Sequence, residues 1–255
     1  MQKVILAGAL GRMGRMVADE IAAADDMELA AAVEVAGHPG IGTTLLGVKV
    51  SDSVADALDA GDLLVDFTTP EAALAGIRAG KDAGKAVIVG TTGFSGEQLA
   101  AAREAAKSIP LLISPNMSPG VNLLFKVVED VARVLHDFDA EVIEIHHNRK
   151  KDSPSGTAAK IGDILARARS GARLVHGREG IVGPRAPDEI GMHSLRGGDV
   201  TGEHTVIFAG EGERFELTHR AHSRRTFARG TVRAIRFMKN RDPGLYSMAD
   251  VLGFG

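Results

Sequence analysis

The 255-residue chain carries 33 acidic and 30 basic side chains, a formal net charge of −3, and 44% of its residues are hydrophobic. This balance provides no global basic excess for nucleic-acid binding, and the absence of cysteine excludes disulfides, cysteine metal ligands and cysteine nucleophiles. No apolar run approaches the roughly 20 residues of a membrane span, and no signal-peptide pattern precedes the first predicted strand. We therefore predict a cytoplasmic protein of two compact domains, with no metal site and with neither nucleic acid nor membrane as a partner.

The first motif lies at the N-terminus, where an apolar run leads into a glycine-rich turn and then into helical periodicity. Lys3–Ala7 has the composition of a buried parallel strand, and Gly8-Ala-Leu-Gly11-Arg-Met-Gly14 follows it. A second apolar run ends at Glu34, twenty residues past Gly14, where dinucleotide-binding domains hold ribose hydroxyls. The spacing is GxxGxxG and not GxGxxG, so a chance glycine turn is the alternative to a dinucleotide site.

Strand and helix patterns then alternate along the first half of the chain. Apolar runs at 62–67, 86–89 and 111–113 predict strands, and helical patterns at 52–60, 71–83 and 95–107 separate them, with Ser95 as a possible N-cap. This alternation predicts a doubly wound parallel sheet. Ligands bind at the carboxyl ends of such strands. We therefore expect one crevice to be lined by the residues that follow them, Gly8, Glu34, Thr68, Gly90 and Ser114.

A second motif, EIHHNRKKDSPSGTAAK at 144–160, combines proton donors with a helix start. Histidine and lysine can deliver protons near neutral pH once their surroundings tune them. The Gly156-Thr157 helix start offers backbone N–H groups to an anion. The alternative is a solvated basic loop before an ordinary capped helix. Strand geometry would put His146 and Lys150 about 13 Å apart, so their convergence stays open.

Five segments together resemble the 4-hydroxy-tetrahydrodipicolinate reductase (dihydrodipicolinate reductase) family of lysine and diaminopimelate biosynthesis. They are GALGRMG, Val65-Asp66-Phe67-Thr68, Gly90-Thr91-Thr92-Gly93, Ser114-Pro115-Asn116-Met117 and HHNRKKDSPSGTA. The resemblance covers essentially the whole chain. It implies hydride transfer from NADH or NADPH to a cyclic dicarboxylate that loses its 4-hydroxyl as water, and it implies a homotetramer.

The resemblance also implies site residues. His146 and Lys150 take the proton-transfer roles, with Lys150 the donor, and His147, Gly156 and Thr157 bind the substrate. A histidine of the core is the alternative for His147, and a solvent role is expected for Arg149 and Lys151. The residues expected to contact the nicotinamide cofactor are Gly8, Ala9, Leu10, Gly11, Arg12, Met13, Glu34, Gly90, Thr91, Thr92, Ser114, Pro115, Asn116 and Met117.

The predicted fold class is α/β, with a Rossmann-type nucleotide domain at 1–117 and 227–255 and an α+β substrate and tetramerisation domain at 118–226. In the second domain, helices are expected at 121–135 and from Thr157 to about 169, with a strand at 141–146. Antiparallel strands are expected around Ile181 and at 193–196, 204–209 and 214–219.

Seven arginines at 219–241 form a basic stretch. We predict that it is a solvated or interface face and not a nucleic-acid stripe.

Cofactor preference follows from the residue after Glu34. Many relatives have an arginine there, which can pair with the 2′-phosphate of NADP, whereas this chain has Val35. A carboxylate accepts hydrogen bonds from ribose hydroxyls but repels a phosphate, so both cofactors should work, with NADH equal or better. Arg12 and His38 could restore some positive potential.

Two other functions remain open at this point. One is an NAD(P)H-dependent reductase of another imine or keto acid, and the other is a non-catalytic nicotinamide-sensing protein. The anion-binding SGT segment favours a dicarboxylate over the first alternative. The His-Lys segment disfavours the second, because a sensor has no need of a proton donor.

Overall fold

The computed structural model describes residues 1–254 and divides into two compact units. The first unit comprises Met1–Pro119 and the C-terminal segment from Arg225, and the second is Gly120–Arg224. These boundaries lie within two residues of the predicted ones. Gly255, the last residue assigned to the nucleotide domain, lies outside the described residues.

Strands and helices alternate along most of the chain. The strands are β1 (Gln2–Ala7), β2 (Met27–Val33), β3 (Thr44–Leu45), β4 (Val48–Ser51), β5 (Leu63–Asp66), β6 (Ala86–Val89), β7 (Pro110–Ile113), β8 (Asp139–His146), β9 (Arg173–His176), β10 (Glu189–Arg196), β11 (Gly202–Ala209), β12 (Arg214–Ala221) and β13 (Gly244–Tyr246). The helices are α1 (Arg12–Ala22), α2 (Val54–Ala57), α3 (Pro70–Asp82), α4 (Gly96–Ala106), α5 (Pro119–Val134), α6 (Gly156–Ala168), α7 (Arg225–Met238) and α8 (Met248–Leu252).

The first unit is built on an eight-stranded sheet in the order β13-β7-β6-β5-β1-β2-β4-β3. All its pairs are parallel except β3 with β4. Alternate residues of β1 enter two different cores: Val4 and Leu6 lie in the cluster that contains residues of α1 and α7, and Ile5 and Ala7 lie in the cluster that contains residues of α3 and α4. Helices on both faces of a parallel sheet confirm the predicted Rossmann-type fold.

Capping residues set the starts of the helices in this unit. Thr69 accepts a hydrogen bond from the Ala72 N–H, and Pro70 occupies the first helical position of α3. Ser95 and Gln98 form a reciprocal capping box at the start of α4, at 3.2 and 2.8 Å. The prediction that Ser95 is an N-cap is therefore confirmed.

Four short elements of the first unit were not predicted. The hairpin β3–β4 lies in a segment for which no strand was predicted, and Leu46 and Gly47, both at positive φ, form its turn. Strand β13 pairs with β7, and Ser247 and Asp250 form a capping box at the start of α8. Elements of two to five residues are too short for hydrophobic periodicity to reveal.

The second unit contains a five-stranded mixed sheet in the order β12-β11-β8-β10-β9. Its β8–β11 and β11–β12 pairs are antiparallel, as expected, but β10 pairs parallel with both β8 and β9, so the prediction of antiparallel strands was wrong there. Helix α6 connects β8 to β9, and a helical crossover allows parallel strands. Alternation along a strand reveals its buried face but not its direction.

The strand predicted around Ile181 was also wrong. Ile181 is fully exposed in the loop between β9 and β10, and the strand lies earlier, at Arg173–His176. Gly180 and Gly183 flank the apolar pair at Ile181-Val182 with positive φ angles, a backbone conformation typical of turns. A short apolar run between two such glycines is a loop tip.

The basic stretch at 219–241 lies largely on α7, and several of its arginines form ion pairs within the first unit. Arg225 and Arg229 both contact the carboxylate of Glu20 on α1, and Arg236 holds Asp26 at 2.7 and 2.9 Å. The opposite face of α7 is buried in the core. These arginines thus bind the acidic side chains next to them.

Every helix among the described residues is too short or too polar to cross a membrane.

Candidate active site

The glycine turn brings β1 close to the start of α1. Gly8 has φ +74°, and a Cβ there would lie 2.6 Å from the carbonyl oxygen of Phe67. A Cβ on Gly14 would lie 2.0 Å from the carbonyl oxygen of Gly8, so any side chain at that position would push the helix away from the turn. Helix α1 begins at Arg12 without a side-chain cap at Gly11. Backbone N–H groups at such a helix start suit a pyrophosphate.

Glu34 follows β2 and reaches the glycine turn. Its carboxylate accepts hydrogen bonds from the Leu10 N–H and the Val35 N–H, both at 3.0 Å. Because one carboxylate holds both strand ends, it fixes the shape of the turn where a ribose would lie. Val35 is 67% exposed, so its side chain occupies no core position.

Asp66 organises the next strand end, although it was not among the predicted site residues. It is buried at the end of β5 and accepts hydrogen bonds from the hydroxyls of Thr68 and Thr91, each at 2.8 Å. Burial raises the pKa of Asp66, and the bonds from both threonines partly offset that rise. Asp66 therefore positions Thr91, one of the residues expected to contact the cofactor.

The other predicted cofactor residues also follow strand ends. The Ser114 hydroxyl donates to the Asn116 carbonyl at 2.8 Å, and the Asn116 side chain accepts from the Ser118 N–H at 2.9 Å. Ala9 and Met117 are buried in the core, so their side chains pack and only their backbone is available to a ligand. A Cβ on Gly90 would clash with the Phe67 ring at 2.2 Å.

In the second unit, β8 carries one of the two proton-transfer candidates, His146, on its buried face. Its burial alternates strictly, and Ala140 and Val142 belong to the hydrophobic core. Glu144 and His146 continue the same face at the carboxyl end of the strand, with only 1% and 8% of their surfaces exposed. The same face of β8 therefore contributes apolar side chains to the core and places a carboxylate and an imidazole at the edge of that core.

Glu144 is the centre of a polar network there. One carboxylate oxygen contacts Nδ1 of His146, and the other accepts from the Arg196 guanidinium at 2.9 Å and the Ser155 N–H at 3.1 Å. The Ser155 hydroxyl is also 3.2 Å from Nε2 of His204, whose ring packs edge-on against His146 with centroids 5.2 Å apart. Burial, followed by the charge of His146, lowers the pKa of His204 to about 3, so His204 is neutral at pH 7.

A carboxylate and two histidines this close could also hold a metal ion. The ligand atoms of Glu144, His146 and His204 lie within 4.8 Å of one another. The Arg196 guanidinium, 2.9 Å from Glu144, opposes a further cation at this position. A hydrogen-bonded Glu–His pair accounts for the arrangement without a metal.

After His146 the chain turns sharply. The Lys150 N–H donates to the His147 carbonyl at 3.1 Å, so 147–150 forms a turn and neither continues the strand nor becomes a helix. The ammonium of Lys150 lies 2.9 Å from the carboxylate of Asp152. The Lys150 side chain is 19% exposed, whereas Lys151 beside it is an exposed residue.

His147 lies in the same turn, half-buried. Its Nε2 is 3.3 Å from the Arg224 guanidinium, and its backbone N–H donates to Val200 at 2.7 Å. Desolvation, then the charges of Arg224 and Arg149, lower the pKa of His147, so the ring is neutral at pH 7. Arg149 is exposed, in agreement with the solvent role expected for it.

The predicted anion site coincides with the start of α6. Gly156 is the first helical residue, and Ser155 is its N-cap, accepting from the Ala158 N–H at 3.2 Å. The backbone at the first turn carries the positive end of the helix dipole. Nothing lies within 4 Å of the position that a Cβ of Gly156 would occupy, so the backbone there faces open space.

The second unit thus joins His146 through Glu144 to the residue that caps α6. Glu144, Arg196 and His204 were not predicted to belong to this site. The sequence could have indicated Glu144, because it precedes His146 by two positions and residues two apart on a strand lie on the same face. Arg196 and His204 come from β10 and β11, and no local pattern connects them to His146.

The fold and these two regions define a nicotinamide-dependent oxidoreductase with a Rossmann-type domain. The family models described as dihydrodipicolinate reductase, N-terminus, and dihydrodipicolinate reductase, C-terminus, match residues 2–117 and 120–252. The chain belongs to the dihydrodipicolinate reductase family.

Curated relatives agree along nearly the whole chain. The 4-hydroxy-tetrahydrodipicolinate reductase of Anaeromyxobacter dehalogenans strain 2CP-C is 48% identical, over 99% of this chain and 98% of its own. The protein of the same name from Citrifermentans bemidjiense is 46% identical, over 99% of each chain. The resemblance found in the sequence is therefore confirmed.

Solved structures support the fold. The dipicolinate-bound dihydrodipicolinate reductase of Paenisporosarcina sp. TG-14 superposes with a TM-score of 0.81 at 26% identity, covering 98% of each chain. An amine dehydrogenase of Mycobacterium smegmatis has a TM-score of 0.63 at 14% identity, covering 97% of this chain and 95% of its own, a likeness of fold alone.

Proposed function

We propose that the chain reduces 4-hydroxy-tetrahydrodipicolinate to tetrahydrodipicolinate in lysine biosynthesis through diaminopimelate. One NAD(P)H and one proton are consumed, and the 4-hydroxyl leaves as water. The observation that carries this proposal is the His146-to-Thr157 segment: a buried, carboxylate-paired imidazole, an ammonium and a helix start within twelve residues, in a chain of this reductase family.

NADH or NADPH supplies the hydride, and residues of the first unit would hold it. Gly8 and Gly14 leave the space that a pyrophosphate needs, because a Cβ at either position would meet backbone within 3 Å. Glu34 would accept hydrogen bonds from a ribose. The loops after β6 and β7 complete the site with Gly90, Thr91, Thr92, Ser114, Pro115, Asn116 and the Met117 backbone, and the turn itself supplies Ala9, Leu10, Gly11, Arg12 and Met13.

Lys150 and His146 provide the proton. Lys150 is the donor, and its ammonium pairs with the carboxylate of Asp152 at 2.9 Å. His146 acts beside it as the second proton-transfer group. An imidazole with a buried carboxylate on one ring nitrogen can give or take a proton at the other.

The substrate has two carboxylates, and the second unit offers cationic and backbone partners for them. Gly156 and Thr157 at the start of α6 would bind one carboxylate. His147, neutral and next to Arg224, would bind through its ring. The relative from Paenisporosarcina, whose described ligand is dipicolinate, supports a small dicarboxylate as the ligand class.

We also propose a cytoplasmic homotetramer. The five-stranded sheet has its core on one face, whereas the other face carries apolar side chains such as Ile143 and Leu195 beside the paired charges of Glu141. A sheet face of this kind suits a second copy of the chain. Light scattering that gives the mass of one chain would contradict the assembly.

The decisive test of the function is turnover of enzymatically made substrate with each nicotinamide, with the product identified by mass spectrometry. Oxidation of NAD(P)H that depends on this substrate supports the proposal. Turnover only with other cyclic imines or keto acids would indicate a different reductase. Cofactor binding without turnover of any of these would indicate a nicotinamide sensor.

A further inference from the structure

Glu144 is a buried carboxylate that was not among the predicted site residues. It lies on β8 two residues before His146, so both side chains project from the same face of the strand. Only 1% of its surface is exposed, and an ionised carboxylate in such a position is costly unless it is paired. The hydrogen-bond partners of Glu144 therefore indicate what this carboxylate does.

The two oxygens of Glu144 have different partners. One contacts Nδ1 of His146, and the other receives the Arg196 guanidinium at 2.9 Å and the Ser155 N–H at 3.1 Å. Burial favours a raised pKa, but the hydrogen bonds from His146, Arg196 and Ser194 outweigh it and lower the pKa of Glu144 to about 2. Glu144 is thus an anion at neutral pH and accepts at both oxygens.

An anionic acceptor at Nδ1 determines which ring nitrogen of His146 carries a proton. The contact is a hydrogen bond only if Nδ1 donates, which leaves Nε2 as the atom that exchanges protons. Nε2 lies next to Gly202, where a Cβ would come within 2.8 Å of it. The absence of a side chain at Gly202 keeps that nitrogen uncrowded.

We propose that Glu144 is the positioning residue of the proton-transfer site, holding His146 as the Nδ1–H tautomer and tying its ring to Ser155 at the start of α6. The kinetic part of this proposal rests on the proposed function, in which His146 transfers protons and α6 binds substrate. One carboxylate then fixes the proton-transfer group relative to the anion site. The carboxylate of a Ser-His-Asp triad acts in the same way on its histidine.

The tautomer can be measured without any assumption about the reaction. In protein labelled with ¹⁵N-histidine, the two ring nitrogens have distinct chemical shifts, and comparison with His146→Ala identifies the His146 signals. We expect Nδ1 of His146 to be protonated at neutral pH in the wild-type protein. The Nε2–H tautomer at His146 would overturn the proposal, and this measurement needs no variant of Glu144 to fold.

Kinetics test the same link. Glu144→Gln keeps the shape and removes the charge, and we expect kcat to fall by about 100-fold while the KM for the nicotinamide stays within a factor of about two. In the His146→Ala background the same change should cost little more, because Glu144 acts through His146. An unchanged kcat in Glu144→Gln, or full additivity with His146→Ala, would overturn the proposal.

A matched control lies three residues earlier on the same strand. Glu141 also pairs with a histidine, its carboxylate 2.7 Å from Nε2 of His193, and its pKa is likewise about 2 because hydrogen bonds from Arg178, His193 and Arg185 outweigh desolvation. It lies on the opposite face of β8. We expect Glu141→Gln of wild-type hydrodynamic size to keep the wild-type kcat. An equal loss in both variants would mean that Glu144 is only structural.

Discussion

The two binding regions use different parts of the chain. In the first unit the site is made by the backbone, because Gly8 and Gly14 let the turn approach Phe67 and the start of α1 within distances that no side chain permits. In the second unit it is made by side chains, with Glu144 joining His146 to Ser155 and Arg196. The difference predicts that changes in the second region should lower kcat and that changes in the first should alter cofactor recognition.

The largest expected effect is in the side-chain region. Lys150→Met keeps the aliphatic stem and removes the ammonium, so turnover should fall by about 10²–10⁴-fold while nicotinamide affinity stays near that of the wild type. Steady-state kinetics and fluorescence titration of NADH measure the two quantities. His146→Ala should show the same separation.

Lys151 offers a control for that experiment. It is the adjacent lysine but an exposed one, and Lys151→Met changes the net charge by the same amount. We expect nearly wild-type turnover from this variant. If Lys150→Met retained most of its activity, or if Lys151→Met lost as much, the assignment of Lys150 as the proton donor would be wrong.

A smaller effect is expected where the second region also uses its backbone. Gly156 is the first residue of α6, and Ser155 before it is extended, with ψ of 156°, which is the conformation that a following proline needs. Gly156→Pro therefore removes one N–H without distorting the helix. Loss of a charge-assisted hydrogen bond of about 1.5–3 kcal/mol should weaken pyridine-2,6-dicarboxylate binding by about tenfold to a hundredfold.

Gly156→Ala is the corresponding control, since it retains the N–H and its methyl group enters open space. Calorimetry should show dicarboxylate affinity close to the wild type for this variant and a similar melting temperature for both. Unchanged affinity in Gly156→Pro would exclude the start of α6 as a carboxylate site.

The same contrast explains what could be predicted from the sequence. The glycine turn was predictable because its constraint is local: a strand, three glycines and a helix follow one another, and Glu34 comes at a fixed distance. The His146–Thr157 segment was found because its residues are contiguous. Arg196 and His204 could not be found, because they reach His146 only through the order of strands β10-β8-β11. That order includes a parallel pair that period-two alternation cannot reveal.

The smallest expected effect tests the backbone region through Val35, the residue that follows Glu34. Val35 follows Glu34 and is 67% exposed, so a longer residue there should not disturb the core. The Glu34 carboxylate is held by Leu10 and Val35 N–H groups at 3.0 Å, where it can accept from ribose hydroxyls but repels a 2′-phosphate. We expect NADH to be used at least as well as NADPH.

Val35→Arg adds a cation beside Glu34 and should move the ratio of kcat/KM values toward NADPH by about tenfold. A tenfold shift corresponds to about 1.4 kcal/mol, which is near the lower end of the free energy of one charge-assisted hydrogen bond. Val35→Gln adds a comparable side chain without charge and should leave the ratio unchanged, which separates the charge from the contact area. Arg12→Ala should lower NADPH use more than NADH use, since an exposed arginine at the start of α1 can approach the phosphate. A wild-type enzyme at least about a hundredfold more efficient with NADPH would contradict this interpretation of Glu34 and Val35. In that case the selectivity would have to come from cations elsewhere in the first unit.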